Sequence, residues 1–235
     1  MKRLAVIFVF VGLSVGCSEL IGEQGNGERI TQRFSIDEFS KLEIAGSVDV
    51  TLLASDEKEV VIEVDENLMR YIIIEVWQGT LRVDTDRRLN SSKGVLITIP
   101  IKNLSKLSSS GASMISSEGQ LVCQDLDISL SGAGKLRLDI SATSVEVDVS
   151  GATIVDLMGN AKSLAIEMSG AGSLDGSDLK VENCNVQISG VGQVLVNVSE
   201  TLKADVSGMG KVEYLGSPSS VVGDVSGVGN VSKAN

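Results

Sequence analysis

Leu136-Arg137-Leu138-Asp139-Ile140 and Val145-Glu146-Val147-Asp148-Val149, the second followed at once by Ser150-Gly151, decide the fold of this chain. Both strings alternate apolar and polar residues with period two, the pattern of short strands with one buried face. The Ser-Gly step recurs at Ser110-Gly111, Ser131-Gly132, Ser150-Gly151, Ser169-Gly170, Ser189-Gly190, Ser207-Gly208 and Ser226-Gly227. Successive spacings are 21, 19, 19, 20, 18 and 19 residues. The residue before the Ser is apolar in six copies, Ser109 being the exception. A small or apolar residue follows the Gly: Ala112, Ala133, Ala152, Ala171, Val191, Met209 and Val228. A second glycine comes next in five copies, replaced by Ser113 and Thr153 in the other two.

A period near 19 leaves room for two or three short strands and their turns, and none for a helix of ten residues. Strands this short wind into coils that stack at about 4.8 Å, each coil pairing its backbone with the coils above and below. The expected fold is all-β: a single-stranded right-handed parallel β-helix, a solenoid with irregular N-terminal β coils. The hand follows from the general preference of parallel crossovers. The glycines are expected at sharp corners with φ > 0, so valine at Gly151 or Gly190 is expected to destabilise. Residues 29–107 are β-rich but less regular, with Leu42, Ile44, Val48, Val50 and Leu52 alternating and Gln78-Gly79 reading as a hairpin turn. Atypical ends are what a capped solenoid requires.

The N-terminus reads as an address. Lys2 and Arg3 precede an apolar run, residues 4–16, too short to span a bilayer and right for a signal-peptide core. The run ends Leu13-Ser14-Val15-Gly16-Cys17, which resembles the lipobox of bacterial lipoproteins, with Ser14 where leucine is commonest. The resemblance implies cleavage before Cys17 and its acylation. The expected organisation is therefore a signal peptide (1–16), a lipidated, glycine-containing tether (17–28) and a β-helix domain (29–235), with the Ser-Gly repeats over 108–232. Ser18 after the cysteine points to the outer membrane by default. The lipid anchor makes the membrane a partner, since each buried CH₂ contributes about 0.8 kcal/mol.

Composition excludes several functions. The chain has 235 residues, a net charge of −11, 3% aromatic residues and no histidine. Removal of Lys2 and Arg3 makes the mature chain two charges more acidic still. Such a surface repels phosphate backbones, so no nucleic-acid partner is expected. Without histidine there is no Ser-His or Cys-His nucleophile and no His-ligated zinc. Gly-x-Ser-x-Gly is absent, and the one Ser-x-x-Lys, Ser177 to Lys180, falls in a strand-and-turn repeat rather than on a helix. The Asn-x-Ser sequons at Asn90, Asn103, Asn197 and Asn230 are coincidence in a bacterial lipoprotein. Cys123 and Cys184 fall three coils apart, about 14 Å along the axis by coil spacing. That exceeds the reach of a disulfide, so two free thiols are expected.

Phe34-Ser35 onward to Val50, Val60 to Asp65, Gln78-Gly79-Thr80-Leu81 and the Ser-Gly-x-Gly series together resemble the "putative auto-transporter adhesin, head GIN domain" family. The resemblance runs from about Arg29 to Val231. It implies a bacterial exported β-helical protein, often a lipoprotein, with a role in adhesion. It brings no catalytic or binding residues.

Two surface features follow from the repeat. The serine ladder (Ser110, Ser131, Ser150, Ser169, Ser189, Ser207, Ser226) is either a polar face for a glycan or partner, or a corner whose hydroxyls bond nearby backbone, the favoured reading. Asp148, Glu167, Asp205 and Asp224 stand two residues before the ladder serine, so Asp148/Glu167 and Asp205/Asp224 are expected as neighbours. They form a solvated face in preference to a Ca²⁺ site. No catalytic residue, metal ligand or cofactor is expected, and the ligand-binding residues stay open; Cys17 is the one modification site. The functional expectation is a non-enzymatic cell-envelope lipoprotein, an adhesin-like or scaffolding module with a glycan or protein ligand. The alternatives are a pectinase-like carbohydrate-active β-helix enzyme, which needs clustered acids, bases and aromatic platforms, and an envelope-stress accessory.

Overall fold

The computed structural model describes residues 22–234; the expected signal segment and Cys17 lie outside the described residues. The chain forms a β-solenoid of about seven turns. Along one face, the inward residues Leu42, Leu107, Ile128, Val147, Ile166, Val186 and Ala204 occupy matched positions on successive parallel strands. All are 0–1% exposed. A second face stacks Ile97, Val50, Ile115, Leu136, Val155, Leu174, Val194 and Val212 in the same way. Aliphatic side chains suit this geometry, because facing sheets meet inside a thin coil that aromatic rings would overfill. Full burial of one such side chain contributes about 1.5–3 kcal/mol. A short third side carries the irregularities, with register shifts near Asp156/Met158 and Gly176/Lys180.

The glycines of the Ser-Gly steps correct the expected φ > 0. Positive φ occurs at Gly27, Gly46, Gly79, Gly94, Gly119, Gly159 and Gly216, and at none of the seven step glycines. Their constraint is close approach. A Cβ on Gly151 would strike the carbonyl oxygen of Gly132 one coil back, and one on Gly170 the carbonyl oxygen of Gly151. Glycine stands there because neighbouring coils leave no room for a methyl group. The two departures in the first copy answer each other: buried Ser109 and Ser113 share a hydrogen bond at 2.7 Å.

The N-terminal part is ordered differently from the chain. Lys41–Ile44 and Asp49–Ala54 form a coil, and the next coil upward is made by Lys106–Ser109 and Met114–Glu118. The intervening chain returns underneath, placing Thr80–Thr85 and Leu96–Ile101 against the opposite edges of the same strands. Antiparallel strands close this end. Ile72–Trp77 pairs with Thr80–Thr85 through the expected Gln78-Gly79 turn, where φ is 49° and 73°. Glu59–Asp65 lies between Arg29–Ser35 and Leu96–Ile101. The last residue of Glu59–Asp65 pins a loop: the buried Asp65 carboxylate accepts hydrogen bonds from the Ser91 hydroxyl and from the Ser92 N–H and hydroxyl, the latter two at 2.9 Å. Arg29 ties the same loop by donating to Gly94 O at 2.6 Å. At the other end of the solenoid, residues 221–230 are all exposed.

A candidate binding trough on the outer sheet face

Period-two alternation that sends Leu42, Ile128 and Val147 inward sends their neighbours outward on the same strands. Register aligns these neighbours in columns. One runs Arg82, Glu43, Ser108, Ser129, Asp148, Glu167, Gln187, Asp205, Asp224, one residue per strand. The expected pairs Asp148/Glu167 and Asp205/Asp224 are thus neighbours. The serine ladder flanks this column. From Thr80–Thr85 to the strand holding Asp205 there are seven inter-strand steps, roughly 34 Å at about 4.8 Å each.

Two concavities follow one another along this face. The first, of about 920 Å³, is bordered by Trp77, Glu75, Arg82, Glu43 and Lys41 and reaches Ser108, Ser110, Ser129 and Ser131. The second, of about 390 Å³, begins on the next strand with Asp148 and Ser150 and runs to Asp205 and Ser207. All seven ladder serines are exposed. Among the described residues only the Ser131 and Ser207 hydroxyls reach a backbone carbonyl, at the long distances of 3.4 and 3.5 Å. The corner is held instead by backbone N–H groups, such as Ser150 N to Leu130 O at 2.9 Å. The favoured reading of hydroxyls bonded to backbone is therefore corrected: the ladder presents most of its hydroxyls to the trough.

Charge is distributed unevenly. At the N-terminal end Arg82 donates to Asp84 at 2.7 Å and to Glu75 at 3.4 Å, a planar fork fixed between two carboxylates. The Asp84 hydrogen bond and charge hold the guanidinium above its ordinary value. Lys106 pairs with Asp127 at 2.7 Å; that carboxylate, helped by Asp148 and Glu43, raises the ammonium pKa. Farther along, Asp148, Glu167, Asp205 and Asp224 form no ion pair among the described residues. The same residues contain no cluster of three or more Asp, Glu or Cys side chains placed to hold a metal ion.

Trp77 is the residue of this candidate site that the sequence reading did not single out. It is the only tryptophan of the chain and stands 71% exposed at the rim of the larger concavity. The signal was its position beside the Gln78-Gly79 turn, two residues from Glu75, where alternation places both side chains on one face. Ser177 and Lys180 lie in the strand Ala171–Ile188, without the helix their motif needs. Cys184 is buried in that strand, Cys123 is half-buried at a corner, and both thiols are free, as expected.

No curated protein matches the sequence. Solved structures do. A putative adhesin from Bacteroides fragilis NCTC 9343 is 25% identical, with a TM-score of 0.86 over 91% of this chain and 100% of that one. A putative lipid binding protein from Parabacteroides distasonis ATCC 8503 is 21% identical, with a TM-score of 0.74 over 91% and 99%. A putative adhesin from Parabacteroides merdae ATCC 43184 is 22% identical, with a TM-score of 0.67 over 91% and 99%. The last two show a shared fold. The family pattern described as "Putative auto-transporter adhesin, head GIN domain" matches residues 38–218, most of the chain and nearly the whole solenoid, and the chain belongs to that family.

Proposed function

We propose that the protein is an exported, non-enzymatic lipoprotein of the cell envelope that acts as an adhesin-like module and meets its ligand along the trough. The observation that carries this reading is the trough itself, a long, open, hydroxyl- and charge-lined surface on a rigid stack. Ligand sites are concave surfaces with convergent polar groups, and the outer sheet face offers both. The anchor would be the acylated Cys17; the expected free tether is corrected in its second half, because Glu23–Gln24 pairs with Leu89–Asn90 and Gly25 N donates to Asn90 O at 3.0 Å, which docks this segment on the N-terminal coils. The Bacteroides fragilis relative of the same architecture carries the name "putative adhesin", which agrees with this use. The non-enzymatic part rests on chemistry: without histidine the chain lacks the commonest general base, and the concavity that holds Asp148, Glu167 and Asp205 is lined by no basic side chain and no aromatic ring.

The test is binding of the anchor-free chain, residues 18–235, to an array of glycans and extracellular-matrix proteins. A specific hit that competes with a probe bound in the trough supports the reading. Absence of any hit, or turnover of a polysaccharide by the purified protein, refutes it.

A further inference from the structure

We infer that the Trp77 end of the trough is a carbohydrate subsite, which takes a pyranose ring of an uncharged glycan against the exposed indole. The inference rests on the adhesive reading above and names its ligand class.

Four observations converge. Trp77 is a large apolar side chain left 71% exposed, although alternation buries most apolar residues of the strands. The flat indole face matches the axial C–H face of a pyranose, and burying both removes apolar surface from water. It ends the outer strand of the hairpin Ile72–Trp77/Thr80–Thr85 with its ring turned away from the core, so the solenoid core does not require it. The adjacent polar groups suit vicinal hydroxyls: Arg82 is a fixed planar donor between Glu75 and Asp84, and Glu43 on the next strand supplies acceptors. Beyond them Ser108, Ser110, Ser129 and Ser131 add hydroxyls along the floor of a concavity of about 920 Å³.

Charge selects the class of sugar. A chain bound at Trp77 and continuing along the trough passes Asp148, Glu167 and Asp205, none of which forms an ion pair among the described residues. A polyuronate or sulfated glycan would meet like charge there, which disfavours it. An uncharged chain meets donors and acceptors only.

Because Trp77 is the only tryptophan, its emission reports this one site. The mature protein is titrated with cellohexaose, laminarihexaose, mannohexaose and chitohexaose, with polygalacturonate as the anionic comparison, each followed by fluorescence and calorimetry. At least one neutral oligosaccharide is expected to shift the emission saturably. Trp77→Ala is expected to weaken that binding tenfold or more by calorimetry while leaving the melting temperature unchanged, and Arg82→Ala to weaken it as well. Glycan binding with unchanged Trp77 emission overturns the subsite and leaves the adhesive reading standing. Preference for polygalacturonate overturns the class of sugar. Binding of a matrix protein without any glycan overturns the inference alone, and binding of nothing overturns both readings.

Discussion

Replacing Gly151 with alanine adds one methyl group where the structure has no space. The new Cβ would lie 2.8 Å from both the carbonyl carbon and the oxygen of Ser131, and closer still to the oxygen of Gly132. Carbon contacts are favourable near 3.5–4.0 Å, so the coils must part locally. Overpacking of this kind costs about 1–3 kcal/mol. The displaced Gly132 carbonyl also accepts the Ala152 N–H at 3.0 Å, and loosening that bond adds about 0.5–1.5 kcal/mol. Stiffening the unfolded chain offsets only about 0.4–1 kcal/mol, too little to reverse the sign. The net loss is about 2 kcal/mol, a fall in Tm of roughly 4–8 °C for a chain of this size. Gly79 is the control, since it has φ of +73° and no atom within 4 Å of where an added methyl group would sit. There alanine loses only the left-handed backbone preference, and asparagine, which tolerates that conformation, is nearly neutral. At Gly151 asparagine is as harmful as alanine. Thermal melts of the four variants decide the matter. If asparagine rescues position 151, or if Gly151→Ala melts with the wild type, the close-approach argument is wrong.

Other expectations follow from single residues. Cys17→Ala should release the protein from the membrane fraction and abolish metabolic fatty-acid labelling; an unlabelled wild type would remove the lipid anchor. Alkylation of the denatured, unreduced protein should modify both Cys123 and Cys184, whereas in the native protein Cys184 should stay unreacted, because burial pushes its thiol pKa up to about 12; a Cys123–Cys184 bridge would contradict the coil register. The Asp65 carboxyl is held below its ordinary value, first by the Ser91 hydroxyl and then by Ser92. Its contribution is therefore fully present above the ordinary value of 3.8 and is lost as pH falls through the lower native one. Asp65→Asn should lower Tm at pH 7 and flatten the acid limb of the stability profile, and an unchanged acid limb would show that the pin is not formed.

The Ser-Gly repeat made the stack legible because its information is redundant. Alternation says which residues of a strand face inward, and a one-residue slip would turn the whole buried set outward, so each coil has one register. Counting from one serine to the next therefore placed Asp148 beside Glu167 and Asp205 beside Asp224. The same logic failed before residue 106. Alternation in Leu81 and Val83 shows a strand with a buried face, but not which strand is its neighbour, and no Ser-Gly step marks the return of Thr80–Thr85 beneath Lys41–Ile44. The step glycines were recognised as constrained, yet two constraints select glycine. Chain position alone does not separate a left-handed φ from a carbonyl one coil away.

The trough was hidden for a related reason. Outward residues are free of packing, so neither size nor pattern announces a role, and the serine ladder reads as a corner sooner than as a surface. What distinguishes the outer face is the addition of an antiparallel hairpin beside a parallel sheet, which sets Trp77 and Glu75 next to Arg82, Glu43 and Lys41. This arrangement separates the buried stack from the proposed recognition face. Leu42, Ile128 and Val147 are fixed by neighbours above, below and across the coil, and each is fully buried. Ser108, Ser129 and Asp148 share those strands but face water, so replacing them alters the trough without disturbing the stack. Removing Trp77 is cleaner still, because its strand pairs on one edge only, with Thr80–Thr85, and its ring lies outside the core. A loss of binding in Trp77→Ala with an unchanged melt would then be read as loss of contact with the ligand, not as damage to the rod that presents it.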